Sequence, residues 1–250
     1  MPGSLKTEAI VLRSLRYGEA DRILHLYTPH RGRIGAIAKG VRRTRSRFGG
    51  RLEPFQRVQL VLHEGRGELL TVTGVDTVAT HGRLREHAPS LDAAARACDA
   101  VGRVFETDEP PPGVYHLLCN QLALLDAEPG RASYANALCF RLKLLVAAGL
   151  TPQLAACVSC GQRDRLDGYS AAGGGVVCDA CEASAFALSA DAYEFMTAAL
   201  TRPLAQAPDA PERALRQAER AISETLEHHA NLRLRPAFAT LVAAAPRAVA

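Results

Sequence analysis

Four cysteines are the residues in this sequence whose type and spacing best fit metal chemistry. Cys157 and Cys160 form one CxxC pair, Cys178 and Cys181 form a second, and residues 161–177 lie between them. Each pair can present two thiolates from one tight turn, and two converging pairs supply the four ligands of a tetrahedral zinc ion. Gly161 directly follows the first pair, where such turns often need a glycine. The spacing therefore predicts one zinc ion held by these four cysteines.

The predicted zinc is structural, because four thiolates fill the coordination shell and leave no position for a reactive water. Four ordinary free cysteines, or two thioredoxin-like dithiols, are the alternatives. Zinc is favoured because the glycines at 173–175 do not provide the strand-then-helix context of a redox motif. The remaining cysteines lie in apolar helical stretches and are predicted to be buried core residues. They are Cys98, Cys119 and Cys139.

Positive charge is concentrated in the first quarter of the chain. The whole chain has a formal net charge of +4, but residues 1–60 contain 13 Lys or Arg against 4 acidic residues. Between Arg31 and Arg57 a single acid, Glu53, interrupts the basic residues. Guanidinium groups bind phosphate oxygens in bidentate fashion, so the cluster favours a nucleic-acid partner over a solvated charge run without a specific function. Its members are Arg31, Arg33, Lys39, Arg42, Arg43, Arg45, Arg47, Arg51 and Arg57.

Short β-rich runs separated by turn residues predict five strands before residue 80. Five short strands in about 70 residues are typical of a small barrel of the kind that holds oligonucleotides. Alternation along the third run places Arg33 and Lys39 on its outer face. Residues 41–50 are predicted to be a mobile loop, in which Phe48 is the best candidate for stacking on a base. The predicted strands are residues 9–15, 22–27, 32–39, 58–62 and 69–75.

The pattern becomes helical after about residue 83. Ser133 is the predicted N-cap of a helix that Gly149 ends. The other predicted helices are 91–106, 113–127, 189–201 and 211–228. The fold class is therefore α+β, with a five-stranded N-terminal barrel at 1–80 and a helical domain at 81–250. The cysteines place a zinc-binding segment at 153–185 within the helical domain.

Several classes of protein are disfavoured by missing motifs. The sequence has no GxxxxGK[ST], GxSxG, HExxH or GxGxxG motif, so we predict no ATP hydrolysis and assign no catalytic residue. The longest apolar runs, such as 144–150, are far below the roughly 20 residues that span a bilayer. The N-terminal residues lack the apolar stretch of a signal peptide. We therefore expect a cytoplasmic protein that is not an enzyme.

Two groups of motifs carry a resemblance to a known family. The first group is YGEAD at 17–21, LYTP at 26–29 and AKGVRR at 38–43, and the second is FRLKLL at 140–145, GLTP at 149–152 and CVSCG at 157–161. In these motifs the chain resembles the RecO family of bacterial recombination mediators, over about residues 5–240. The resemblance implies an N-terminal OB-fold, a central helical domain and a zinc-binding insertion. It also implies that the four cysteines hold zinc.

Members of this family bind single- and double-stranded DNA and anneal complementary strands. With RecR they load RecA onto DNA coated by single-stranded DNA-binding protein, so the resemblance implies these partners and a nucleoid-associated location here. It places DNA contacts at Lys39, Arg42 and Arg43. The prediction that further arginines contact DNA rests on their charge alone. The predicted DNA-binding residues are Arg33, Lys39, Arg42, Arg43, Arg45 and Arg47.

Two other functions compete with the mediator hypothesis. One is an RNA-binding or ribosome-associated protein with an OB-fold and a zinc ribbon. The other is a zinc enzyme, which is disfavoured because the sequence offers neither an open metal position nor a nucleophile. A mediator would also need a site for the acidic tails of single-strand-binding proteins. Arg141 and Lys143 in the helical part are candidates for that site.

Overall fold

The computed structural model of the chain describes residues 3–65, 67–107 and 109–238, apart from the side chains of residues 182–184. Within these ranges a five-stranded barrel is followed by a helical region, which confirms the predicted α+β class. The division into domains at residues 80 and 81 and the bounds 153–185 of the zinc-binding segment stay predictions. No described helix is both long and apolar enough to cross a membrane.

The barrel closes in the strand order β1-β2-β3-β5-β4, and β3 and β5 pair in parallel while all other neighbours are antiparallel. This is the five-stranded OB-fold. All five predicted strands are present. β1 starts earlier than predicted because polar side chains such as Lys6 alternate with inward ones there, so no apolar run marks its beginning. The strands are β1 Ser4–Tyr17, β2 Asp21–Thr28, β3 Gly32–Ala38, β4 Arg57–His63 and β5 Leu70–Ala79.

The barrel has its own hydrophobic core. In β3 the buried residues Ile34, Ala36 and Ala38 alternate with half-buried ones, as the period of two predicts. Phe48 and Leu52 also belong to this core, although they lie in the segment between β3 and β4. The inner faces of all five strands therefore pack together with two side chains from that segment.

Among the described residues, six α-helices make up most of the rest of the fold. Ser133 and Ser189 cap two of them, since their hydroxyl groups accept hydrogen bonds from the backbone N–H groups of Asn136 and Ala192. Gly149 follows the fourth helix with φ of +75°, a left-handed conformation that favours glycine. The helices are α1 Gly82–Glu86, α2 Ala88–Val104, α3 Val114–Ala127, α4 Tyr134–Ala147, α5 Ala190–Thr201 and α6 Glu212–Ala230.

The helical region and the barrel share one large core. Ile10, Leu12, Tyr27 and Phe55 point out of the barrel and belong to the same hydrophobic cluster as the helices. Gly102 of α2 lies close against Leu12, and a Cβ atom at that position would be 3.2 Å from the Leu12 Cδ1 atom. Helix α2 thus packs directly on β1. Because the barrel contributes large apolar side chains to this core, the two parts are held firmly together.

A polar group closes the edge of this contact. The Glu8 carboxylate lies 2.7 Å from Nη2 of Arg57 and accepts a hydrogen bond of 2.9 Å from the Tyr115 hydroxyl. Arg57 belongs to β4 and Tyr115 to α3, so the carboxylate joins three elements. This ion pair neutralises Arg57, which is one of the nine basic residues between positions 31 and 57.

The cysteine segment lies between α4 and α5 and contains a small three-stranded sheet in the order β7-β6-β8. Its strands are β6 Gly168–Ser170, β7 Gly175–Val177 and β8 Phe186–Ala187. Tyr169 on β6 is buried and exchanges a hydrogen bond of 2.9 Å with Thr225 on α6. The sheet is thereby attached to the helical region. The three other cysteines are buried as predicted: Cys98, Cys119 and Cys139.

Candidate metal centre and nucleic-acid interface

The four cysteines of the quartet lie together in space. Cys157 and Cys160 occupy a turn after α4, while Cys178 and Cys181 directly follow β7. Their four Sγ atoms all lie within 4.8 Å of one another. Residues 161–177 separate the two pairs along the chain, and the chain returns through the antiparallel strands β6 and β7, of which β7 lies beside the first turn.

Backbone hydrogen bonds build each cysteine turn. The N–H group of Gly161 donates to the Cys157 carbonyl at 2.9 Å, and the N–H group of Cys181 donates to the Cys178 carbonyl at 2.9 Å. Gly161 has φ of +79°, which confirms the predicted need for glycine at this position. The N–H group of Val158 donates to the Val176 carbonyl at 2.9 Å and so links the first turn to β7. The positions of all four thiols are therefore set by the backbone.

The quartet fits a tetrahedral metal ion. With Zn–S bonds of about 2.3 Å, the sulfur atoms of a tetrahedral site are about 3.8 Å apart. The Cys160 and Cys178 Sγ atoms are 3.6 Å apart, close to that value. Burial works against ionisation of the Cys157 thiol, but nearby backbone amides, including that of Cys178, hold its pKa at about 6. Hydrogen bonds with Cys160 and Cys178 instead raise the pKa of Cys181 to about 12, so binding of a metal ion to all four thiolates would release protons from the quartet.

Five basic residues of the N-terminal cluster are presented to solvent by the segment between β3 and β4, residues 39–56, which we call the basic loop. All five are exposed, and none forms an ion pair with a carboxylate in the described parts of the chain. By contrast, Arg31 and Arg57 pair with Glu64 and Glu8. The structure thus separates the predicted cluster into neutralised and available members. The available members are Lys39, Arg42, Arg43, Arg45 and Arg47.

Contacts with the turn between β1 and β2 position the start of the basic loop. The Asp21 carboxylate accepts a hydrogen bond of 2.7 Å from the Gly40 N–H group. The Arg42 N–H group donates to the Ala20 carbonyl at 2.9 Å, and its guanidinium group donates to the Glu19 carbonyl at 3.0 Å. Sequence reasoning missed the positioning role of Asp21. The signal for it was available, because Asp21 ends the YGEAD motif.

The expectation of an exposed Phe48 is wrong, and the expectation of a mobile loop stays a prediction. Phe48 is only 2% exposed and packs in the barrel core, so it cannot stack on a base. Leu52 anchors the loop in the same core. The Arg51 guanidinium group donates to the carbonyls of Phe48, Arg47 and Val75 at 2.7 to 3.0 Å. The loop is a series of hydrogen-bonded turns, and Phe48 and Leu52 anchor the backbone that carries its exposed side chains.

Arg33 lies apart from the basic loop. It occupies the outer face of β3, as predicted, but its guanidinium group is 2.6 Å from the Glu106 carboxylate and 2.9 Å from the Gly102 carbonyl. Both partners belong to the end of α2 and the residues after it. The structure therefore places Arg33 at the contact between the barrel and the helices, and its predicted role in DNA binding stays a prediction.

Arg141 is not available for an acidic partner, so that expectation is wrong. Its side chain is 4% exposed and pairs with Glu219 on α6 at 3.5 Å. Its guanidinium group also donates to the Arg235 carbonyl. The neighbouring Lys143 directs its amino group to the Leu200 carbonyl at 3.4 Å. Arg141 thus connects α4 to α6 and the segment after it, and the half-buried Lys143 contacts the end of α5.

Comparison with known proteins identifies the family. The family model described as Recombination protein O N terminal matches residues 1–81, and the one described as Recombination protein O C terminal matches residues 90–236. The chain belongs to the RecO family. This confirms the resemblance inferred from the motifs, and it agrees with an OB-fold barrel followed by a helical region that carries a possible metal site.

Three relatives in this family carry the name DNA repair protein RecO. The one from Anaeromyxobacter sp. (strain Fw109-5) is 34% identical over 243 residues, which cover 94% of each chain. The one from Bifidobacterium longum (strain DJO10A) is 40% identical over 177 residues, or 70% of this chain and 73% of the relative. The one from Rubrobacter xylanophilus is 39% identical over 183 residues, or 72% of each. RecO family membership supports a role in DNA repair and recombination.

Proposed function

We propose that the chain is a recombination mediator that binds single- and double-stranded DNA through its basic loop and anneals complementary strands. The observation that carries this proposal is the group of five exposed basic side chains without a carboxylate partner among the described residues. They project from one loop of an OB-fold barrel, a fold that often binds oligonucleotides. Their predicted role as DNA-binding residues is part of this proposal.

Charge neutralisation supplies the mechanism of annealing. Two complementary strands repel each other through their phosphates, and a protein that neutralises both lowers this barrier without changing a covalent bond. No nucleotide and no catalytic residue are needed for such a step. The positive charges that contact the phosphates belong to Lys39, Arg42 and Arg43. Asp21 and Phe48 do not contact DNA but position the loop. The proposed activity is therefore not enzymatic.

The metal centre has a structural role in this proposal. The metal is zinc, bound by Cys157, Cys160, Cys178 and Cys181, because an all-thiolate tetrahedral site is typical of structural zinc. The ion would add four strong bonds between two turns and the small sheet that links them. It holds the cysteine segment in place, and it makes no contribution to strand annealing.

The chain acts with RecR to load RecA onto DNA coated by single-stranded DNA-binding protein, as its family resemblance implies. An activity of this kind takes place in the cytoplasm, in association with the nucleoid. Because Arg141 is buried, the acidic tail of the single-strand-binding protein must bind elsewhere than at that residue.

An annealing assay with matched variants tests the proposal. The double variant Arg43→Ala/Arg45→Ala removes two exposed loop arginines, and Arg202→Ala/Arg213→Ala removes two exposed arginines of the helical region as a control. We expect the loop variant to anneal complementary DNA strands at least several-fold more slowly than the control. Equal rates for the two variants would contradict the proposal. Competition between poly-dT and poly-U completes the test, since stronger binding of poly-U together with failure to anneal DNA would favour the RNA-binding alternative.

A further inference from the structure

An open cleft of about 610 Å³ lies between the outer surface of the barrel and helix α2. Arg13 on β1 and Arg33 on β3 line it from the barrel, Arg103 lines it from the last turn of α2, and Arg235 lines it from the segment after α6. Among the described residues, Asp99 is the single acidic residue in the lining. Four arginines against one aspartate leave the lining with a formal charge of +3.

Most of this charge is not neutralised by the protein itself. Arg13, Arg103 and Arg235 are exposed, and no ion pair joins them to a carboxylate in the part of the chain that the structure describes. Arg33 pairs with Glu106, which holds its guanidinium group at the edge of the cleft. A concave surface lined by one sign of charge concentrates ions of the opposite sign. The cleft is therefore suited to an anion that presents several oxygen atoms.

His25 lies on the barrel side of this cleft, opposite Arg13 on β1 and Gly35 on β3. Burial together with the positive charges of Arg33 and Arg13 lowers the pKa of His25 below its ordinary value of 6.5. The imidazole is consequently neutral at pH 7. The positive potential of the cleft comes from arginines, whose charge does not change in the physiological pH range.

A continuous outer surface joins the cleft to the basic loop. Leu15, Ile23 and Ile37 lie side by side across β1, β2 and β3, are half-buried, and belong to neither hydrophobic core. This apolar strip can contact the faces of bases. Lys39 at the loop and Arg33 at the cleft are six residues apart, or about 20 Å at about 3.3 Å per residue. Phosphates are ~3.4 Å apart along each strand of a duplex and farther apart in an extended single strand, so at most about six nucleotides cover that distance. Sites of about this size are known for OB-folds.

We propose that the cleft binds backbone phosphates of the same single strand of nucleic acid that the basic loop binds. The strand runs from the loop, over Ile23 and Ile37, to the arginines of the cleft. The cleft volume of about 610 Å³ is in the range of small-ligand pockets, roughly 300–1,000 Å³, which suits a few nucleotides of a single strand better than the wider duplex. This inference rests on the proposed function, because it requires the loop to bind nucleic acid.

Three matched double variants of the full chain test the inference. Arg103→Ala/Arg235→Ala changes the cleft, Arg43→Ala/Arg45→Ala changes the basic loop, and Arg202→Ala/Arg213→Ala is the control. Each variant removes two exposed guanidinium groups that make no side-chain hydrogen bond or ion pair with the residues described. Arg33 is left in place, since its pair with Glu106 also joins the barrel to the helices. The loss of charge is thus the same in all three variants, and its position differs.

Binding of a twelve-nucleotide dT oligomer and of a twelve-base-pair duplex is measured by fluorescence anisotropy at several salt concentrations. We expect the cleft variant to bind the dT oligomer with a salt slope lower by about 1.4, since each lost phosphate contact removes about 0.7. The ratio of the wild-type affinity to the affinity of the cleft variant therefore decreases about sevenfold between 50 and 200 mM salt. On the duplex, the cleft variant should match the control, whereas the loop variant should be weakened on both ligands.

Oligomers with uncharged methylphosphonate linkages in one half locate the contact. We expect one of the two half-modified dT oligomers to bind the cleft variant and the wild-type protein equally, because the phosphates that the cleft contacts are no longer charged. The other half-modified oligomer should retain the full difference. Such non-additivity is the signature of a direct interaction.

Three results would overturn the inference. One is a cleft variant that binds the dT oligomer as the control does while the loop variant is weakened, in which case the proposed function stands and an acidic protein segment becomes the better occupant. Another is an equal loss on single strand and duplex, and the third is additive losses with both half-modified oligomers. If instead the loop variant matches the control on every ligand, the proposed function itself fails.

Discussion

The cysteine segment and the basic loop are both dense local clusters of one kind of side chain, but the fold directs them in opposite ways. In the cysteine segment the four thiols point at one another and lie within 4.8 Å. In the basic loop the five cationic side chains point to solvent and away from the carboxylates described. Four thiols that face one another can all bind a single metal ion, and that binding stabilises the fold. Basic side chains that lack a carboxylate partner at the surface can bind a negatively charged molecule.

The same contrast applies within the N-terminal basic residues. Arg57 pairs with Glu8 at the edge of the contact between the barrel and the helices, and Arg51 donates to three backbone carbonyls. Arg43 and Arg45 have no such contacts among the described residues. Arginines that contact carboxylates or backbone carbonyls stabilise the fold, and arginines without such contacts are available to bind phosphate. Substitution of the first kind should therefore lower stability, and substitution of the second kind should weaken binding.

The largest expected effect follows removal of one metal ligand. Cys178→Ser should abolish metal binding and destabilise the cysteine segment by more than about 5 kcal/mol, because metal binding free energy is folding free energy at such a site. Metal content after purification without chelator and the melting temperature measure this loss. Cys139→Ala, a change at a buried cysteine outside the quartet, should retain the metal. Equal metal content in the two variants would contradict the assignment of the quartet.

Phe48→Ala should produce the next largest effect, and it should act on stability. Phe48 is 2% exposed in the barrel core, and truncation of such a buried aromatic costs about 3–5 kcal/mol. Chemical denaturation measures the free energy of unfolding, and Phe48→Leu, which keeps an apolar side chain, should lose much less. If Phe48→Ala weakened DNA binding strongly without loss of stability, the side chain would be contacting bases and its assignment to the core would be wrong.

Glu8→Gln should have a smaller effect that depends on pH. Burial alone would raise the pKa of Glu8, but hydrogen bonds from Arg57 and Tyr115 and the positive charge of Arg57 hold it below its usual value of 4.5. The ionised carboxylate therefore stabilises the fold above pH 4.5, and this stabilisation is lost as the pH falls through the lowered pKa. We expect the variant to be about 1 kcal/mol less stable at pH 7.

Thermal unfolding of both proteins between pH 3 and pH 7 checks the role of Glu8. The difference in melting temperature should be constant near neutrality and should shrink in acid, where the wild-type carboxylate becomes protonated. A difference that stays the same down to pH 3 would show that the charge of Glu8 is not what stabilises the contact between the barrel and the helices.

The sequence predicted the features whose chemistry is local. Two CxxC pairs carry their own ligand geometry, and the period of two in β3 correctly separated Ile34 and Ala36 from Arg33. The caps Ser133 and Ser189 are likewise signals that lie within a few residues of the helices they begin. Strand and helix positions follow from such patterns because hydrogen bonds and side-chain direction repeat along the chain.

The features that the sequence did not predict depend on distant partners. Phe48 stands among arginines and glycines, and nothing nearby indicates the space inside the barrel that it fills. Arg33 and Glu106 are 73 positions apart, and Arg141 and Glu219 are 78 positions apart, so their ion pairs leave no local signal. The cleft arginines come from separate parts of the chain for the same reason. Tertiary packing decides which charges are neutralised.

The central claim is that the basic loop binds DNA phosphates while the metal centre only stabilises. The most direct test is the salt dependence of single-strand binding by wild-type protein with its metal, wild-type protein stripped of metal, and Arg43→Ala/Arg45→Ala. We predict that metal removal lowers the melting temperature and leaves the slope unchanged, and that the double variant lowers the slope by about 1.4 at unchanged melting temperature. A metal-free protein that stays folded but loses binding, together with a double variant that binds with the wild-type slope, would contradict the claim.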